Sequence, residues 1–385
     1  MSSPSTIYRQ SRTLSLLGFG LLLISGVLQS HVVATTIAEQ TKKISPYMIT
    51  TRDRLNYYED IQELGYDKSY SFLDIDQLTQ KPCPDEIAIF VHGWGADEDE
   101  AKERFDRVKL SLEKNNYTHP LVGFSWDADQ AWLSAKFVAK DNGPQLSKFI
   151  VGTMDKCIKQ QPEKDVKIRL IAHSLGARVV LSSLDSLNKN STWNSGNYKL
   201  ASVHFMAAAV DNEEVSIYPG DILNDPTNWG SPKSDYGKSI QEEVIEFDNL
   251  FNTKDNMLEP NLTNPFNQIY PYFEADWALG QSGYQEVPYD INLTTKSLPK
   301  NYDEKEVQNE IVAICDADAD GKPDLPFGAG QRISVGDNHG GYIGYRDTAN
   351  KSRITYDGAI NVVVSHWSDN HTAGESQNSP MTGIC

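Results

Sequence analysis

Between Glu86 and Phe251 the chain switches repeatedly between two hydrophobic rhythms. Ile87–Val91 is an unbroken apolar run of strand length, the pattern of a strand covered on both faces. It ends in His92-Gly93-Trp94-Gly95 and gives way at Asp97 to helical spacing. Ala101, Phe105, Val108 and Leu112 then share one face, with acids in the first turn. Leu121–Trp126 is the next apolar run. Residues 131–160 read as mostly helical, with a break at Gly143-Pro144 between two helices. Residues 167–181, KIRLIAHSLGARVVL, give a short apolar strand, a sharp turn and a helix. Lys199–Val210 and Val244–Phe251 are further strands, separated by a loop-rich stretch over 212–241. Strands alternating with helices predict an α/β fold, a doubly wound and mainly parallel sheet with its active loops at the strand C-termini.

The flanks are less regular. Residues 45–81 are polar, and Ser69–Ile75 alternates like an early edge strand. Residues 257–330, with many Pro, Asn and Tyr, read as a loop-rich insertion. Ile333–Val335 predicts a short strand leading into Gly336-Asp-Asn-His339-Gly-Gly, and Ala359–Val364 predicts the last strand. Arg9 and Arg12 precede an apolar segment, Leu14–Leu28, inside an uncharged stretch running from Thr13 to Ala38. Residues 1–44 are therefore a signal peptide or an N-terminal membrane anchor, and either leaves a single domain, 45–385, outside the cytoplasm.

Composition narrows the partners. A formal charge of -18 over 385 residues, with no Lys/Arg cluster, excludes nucleic acid and disfavours anionic membrane surfaces. Cys83, Cys157, Cys315 and Cys385 are an even set without C-x-x-C spacing, which permits two disulfides and leaves all pairings open. Asn-x-Ser/Thr sequons at Asn116, Asn190, Asn261, Asn292, Asn350 and Asn370 suit a glycosylated exported chain.

The candidate chemistry starts at Ala172-His173-Ser174-Leu175-Gly176. A serine at the apex of a strand-to-helix turn needs very small residues two before and two after it, and here they are Ala172 and Gly176. The alternative is an N-cap serine on the following helix. A serine hydroxyl also needs a base within reach, and that base needs a partner to fix its tautomer. His339, set among glycines late in the chain, is the candidate base, ahead of His366 and His371. Asp255, beyond the strand 244–251, and Asp211, beyond the strand ending at 210, are alternative acids, with Asp255 preferred.

The serine turn, the upstream His-Gly turn and the order Ser…Asp…His resemble the α/β-hydrolase superfamily over about residues 84–260 and 331–365, closest to exported, uncharacterised esterase- or lipase-like members. The resemblance implies an oxyanion hole made from the backbone N–H groups of Leu175 and Trp94. It also implies that His92 braces that loop and that His173 packs rather than acts as a base. Trp94, Trp126 and Trp132 suit an apolar binding site.

One motif stands apart. Asp316, Asp318, Asp320, Lys322 and Asp324, with Gly321 at the sixth position, follow the first nine positions of a calcium loop, although the twelfth is Phe327 rather than Glu. A structural Ca2+ pinning the insertion is the preferred reading, against a solvated acidic turn. A phosphotransferase Asp-x-Asp site lacks its following Thr or Val. The resemblance as a whole implies an exported serine hydrolase of small-molecule or lipid esters that needs no cofactor for catalysis. The alternatives are a calcium-stabilised cell-surface binding protein that has lost its chemistry, and an acyl transferase or peptidase with the same triad.

Overall fold

The computed structural model describes residues 44–52, 71–72, 78–79, 82–217, 236–253, 255, 257–258, 278–284, 298–307, 315–316, 339–346, 352, 354–367 and 381–382, all within one compact unit, Lys42–Cys385. Its centre is a sheet of eight strands. These are β1 Pro46–Thr50, β2 Ser71–Phe72, β3 Glu86–Val91, β4 Leu121–Ser125, β5 Lys167–His173, β6 Leu200–Met206, β7 Val244–Phe251 and β8 Tyr302–Glu306. Their order is β2-β1-β4-β3-β5-β6-β7-β8, and every pairing is parallel. The chain thus has the doubly wound α/β sheet expected of it.

Helices α1 Glu98–Lys114, α2 Trp132–Gln160, α3 Gly176–Asn188 and α4 Gly237–Glu243 connect the strands. The step from β3 to β4 runs one way across the sheet, whereas those from β4 to β5, β6 and β7 run the other. Since parallel crossovers are right-handed, α1 lies on one face and α2, α3 and α4 on the other. The reversal falls between β3 and β5, which pair from Glu86↔Lys167 to Val91↔Ala172. A crevice opens at the strand C-termini at such a point. The sequence places His92–Gly95 and Ser174 there.

Local chemistry sets the elements. Asp97 caps α1 in a reciprocal capping box, accepting from Glu100 N at 2.9 Å while the Glu100 carboxylate accepts from Asp97 N at 3.4 Å. Buried Ala101, Phe105, Val108 and Leu112 form its inner face, as their spacing predicted. Cys83, just before β3, is disulfide-bonded to Cys157 near the end of α2.

Four readings need correction. The break at Gly143-Pro144 is absent, and α2 runs unbroken with Pro144 inside it. Pro144 cannot donate to Lys140 O, and Ser182 Oγ of α3 supplies that bond instead, at 2.6 Å. Residues 359–364 are not a strand: Ile360–Trp367 is a helix, α5, whose Ile360, Val363 and Trp367 turn inward at helical spacing. Its first five residues are all β-branched or Asn, which masked the period. Pro46–Thr50, within the stretch read only as polar, is a full sheet strand. Tyr302–Glu306, inside the presumed insertion, closes the sheet as its last strand. Its charged residues suit a sheet edge, where the backbone supplies the pairing and few side chains are covered.

Candidate active site

Ser174 follows β5 with φ +55, a left-handed angle that costs a non-glycine residue about 1–3 kcal/mol. The strain is held by the backbone, because Ser174 N donates to Met206 O at 3.0 Å. Close approach dictates the neighbours. A Cβ on Gly93 would lie 2.5 Å from Ser174 Cβ, and one on Gly176 would lie 2.5 Å from Val91 O. The helix after the serine therefore presses directly on the end of β3, and Ala172 is wholly buried beneath the turn.

His339 opens a short 3-10 turn, His339–Ile343. Its Nδ1 is 2.7 Å from Asp255 Oδ2, which leaves Nε2 as the nitrogen on the opposite side of the ring. Asp255 is completely buried in the loop after β7, and its other oxygen accepts from Met257 N at 3.0 Å and Leu258 N at 3.3 Å. This Asx-type turn fixes the carboxylate before the histidine meets it. His173 is the second brace: its Nε2 is 2.8 Å from His339 O and the two rings are 4.9 Å apart. Burial, then the neighbouring His339, holds His173 neutral by lowering its pKa well below the usual imidazole range. Its Nε2 therefore carries the proton and donates to the carbonyl. Asp211 faces elsewhere. It lies beside buried Glu214, whose pKa is raised to about 8, chiefly by burial and further by Asp211, despite the 2.7 Å ion pair with Arg178.

Two backbone N–H groups near the serine are aimed by the same device. A trans peptide unit points its N–H opposite to its carbonyl. The Ser174 carbonyl accepts from Ala177 N at 3.1 Å and Ala209 N at 3.2 Å, which turns the Leu175 N–H the other way. The Gly93 carbonyl is held by His92 Nδ1 at 2.9 Å and Arg104 at 3.3 Å, which turns the Trp94 N–H away likewise. Among the described residues neither N–H has an acceptor. His92 is stacked on Trp126, with ring centroids 5.6 Å apart, and its Nε2 accepts from Trp126 N at 3.2 Å. Burial, then Arg52, lowers its pKa well below the imidazole range, so it braces this loop as a neutral ring. Arg52, which the sequence did not single out, bonds Ser125 Oγ at 2.7 Å and Ala96 O at 2.8 Å around the same loop.

Ser174 and His339 line one cavity of about 400 Å³. Trp94, Trp132, Met257, Leu258 and Ile343 give it apolar walls, and the two tryptophans meet edge to face at 5.5 Å. Arg104 and Arg107 of α1 also line it, a pair missed in the sequence although they stand three residues apart on the helix that follows the His-Gly turn. Arg107 ties the His339 turn to α1 through Gly340 O at 2.5 Å and Gly344 O at 2.7 Å.

Among the described residues one other group has the composition of a metal site. His204, Asp248 and His366 bring ligand atoms within 4.8 Å of one another. The Trp367 indole N–H donates to His204 Nε2 at 2.7 Å, which leaves the imidazole proton on Nδ1, 3.0 Å from Asp248 Oδ2. A proton there occupies the position a metal would need, so the group is an ion-paired cluster joining β6, β7 and α5. His366, a lesser candidate base, is thus paired with Asp248 at 3.2 Å. His371, the strand predicted at Ile333–Val335, the span Thr13–Ala38 and the loop from Ala317 to Asp324 lie outside the described residues, as does Cys385. Asp316 is described only as backbone, in a two-residue strand beside Met381–Thr382. No helix among the described residues is long and apolar enough to cross a membrane.

Residues 73–229 match the sequence model of a family described as an alpha/beta hydrolase of unknown function (DUF900). No curated protein matches the chain. Among solved structures, phospholipase PlaB from Legionella pneumophila is similar at 14% identity and a TM-score of 0.27, over 47% of this chain and 42% of that one. An iodinated complex of acetyl xylan esterase is similar at 11% identity and a TM-score of 0.26, over 50% of this chain and 92% of that one.

Proposed function

The chain has an α/β-hydrolase fold, and from that premise we propose that it is a serine hydrolase of carboxylic esters, with Ser174 as nucleophile, His339 as base and Asp255 as the acid that orients it. The observation that carries this reading is the 2.7 Å contact between His339 Nδ1 and Asp255 Oδ2, in a residue that shares its cavity with Ser174. Asp255 holds the proton on Nδ1 and leaves Nε2 free to accept the serine proton. Ser174 Oγ attacks the ester carbonyl as that proton moves to Nε2. The carbonyl oxygen becomes an oxyanion facing the N–H groups of Leu175 and Trp94. His339 returns the proton to the departing alcohol oxygen. Water, deprotonated by the same nitrogen, then cleaves the acyl-enzyme and releases the acid. Export, with a cleaved signal or an N-terminal anchor, and a structural Ca2+ at the Asp316–Asp324 loop belong to the same proposal and rest on sequence.

The test is covalent labelling of the folded protein by a fluorophosphonate, beside Ser174→Ala and His339→Ala. Labelling of the wild type that both substitutions abolish is expected. A folded wild-type protein that takes no label would overturn the reading in favour of a binding protein without chemistry.

A further inference from the structure

The described lining of the cavity beside Ser174 includes two arginines. Among the described residues that line it Arg104 and Arg107 are present and no Asp or Glu is, in a chain of formal charge -18. Arg104 is half-buried, and its guanidinium donates through one nitrogen to Gly93 O at 3.3 Å and Trp94 O at 3.0 Å. Those are neutral carbonyls. Among the described residues no carboxylate lies within ion-pair distance of it. Burial accordingly lowers its pKa, opposed from a distance by Glu100 and Glu103 on its own helix. A half-buried cation without a counter-ion is costly to keep, and the remaining donors of its planar fork match a carboxylate or phosphate. The same cavity has apolar walls, Trp132, Met257, Leu258 and Ile343 among them.

We infer that the preferred ester carries an anionic group, carboxylate or phosphate, which pairs with Arg104 while its apolar body lies along the tryptophan wall. This rests on the serine-hydrolase reading and names its substrate class. Arg104 then does two things at once. One guanidinium nitrogen holds the Gly93 and Trp94 carbonyls, and the rest of the group recognises the substrate anion, so that anion binding and the aim of the Trp94 N–H are linked through one side chain.

The test compares kcat/KM for 4-nitrophenyl hydrogen adipate with that for its neutral methyl ester, and for an acyl chain of equal length ending in phosphate. The ratio within one enzyme cancels any general loss of activity. The wild type is expected to favour one of the anionic esters by about tenfold or more, which also tells carboxylate from phosphate. Arg104→Gln should bring the ratio to about one, and Arg104→Lys should keep part of it. A wild-type ratio at or below one, or one that survives Arg104→Gln, would overturn the inference. Calorimetric binding of monomethyl adipate and of the phosphate-ended acid to Ser174→Ala and to Ser174→Ala/Arg104→Gln needs no turnover. If no ester is hydrolysed, binding of either acid that Arg104→Gln abolishes still supports the anion site and faults only the hydrolase reading. Absence of binding of both acids to Ser174→Ala counts against the site itself.

Discussion

Asp255 and Asp211 both stand just past the end of a sheet strand, and the sequence left them as alternatives for one role. A strand end does not say which way the following loop turns. What separates them is the Asx turn, in which Met257 N and Leu258 N bind Asp255 Oδ1 and direct Oδ2 at His339. Replacing Asp255 by Asn is expected to lower kcat by roughly 10³–10⁴-fold on any ester the protein hydrolyses, because the amide favours the wrong imidazole tautomer. Asp211→Asn should leave kcat within a few-fold and act on stability instead, through Glu214. Equal kinetic losses in the two variants would reverse the assignment. Ser174 and His339 could be picked as candidates from the sequence because each carries its own local pattern, a small-Ser-small turn and a glycine-flanked histidine. Arg52 and Arg104 could not, since an arginine that reaches across a loop to a carbonyl leaves no periodic trace.

At the level of elements, buried β3, β5, β6 and β7 were readable from their apolar runs, and α1 from its cap and face. The misreadings fell where tertiary contacts override local preference. Val362, Val363 and Val364 favour a strand, yet α5 forms because Trp367 and His366 dock onto the polar rungs Ser202/Glu246 and His204/Asp248 of the sheet. Burial works to raise the pKa of Asp248, but its contacts with His204 and His366 outweigh this and hold it well below the usual carboxylate range. Asp248, with Glu246 at 3.8 Å, raises that of His366 against burial and the opposing Lys305. The depressed acid contributes stability above the unfolded carboxylate range and loses it as pH falls. The raised imidazole contributes below about 6.5 and loses it as pH rises through its folded value. The pair should therefore stabilise most between about pH 4 and 6.5. Urea unfolding of wild type and His366→Asn across pH is expected to differ most in that window and to converge on both sides.

For the whole molecule, the Cys83–Cys157 disulfide is one covalent constraint the sequence allowed without choosing. Cys83 and Cys157 are 74 residues apart and close the chain around β3, α1, β4 and α2. Loop entropy puts its contribution at roughly 4 kcal/mol, so Cys157→Ser should lower the melting temperature by several degrees, and reductant should lower that of the wild type by at least as much. Pro144 carries a consequence on the same scale. A proline in mid-helix is ordinarily where a helix bends or opens first, but here the carbonyl it orphans is held by Ser182 of the helix that carries the serine turn. The weakest point of α2 is thereby its attachment to α3. Amide protons of residues 132–160 and 176–188 should then exchange with solvent as one cooperative unit, with a shared opening free energy rather than an early-exchanging kink. Ser182→Ala should split that unit, and the amides around Lys140 and Pro144 would exchange ahead of the rest.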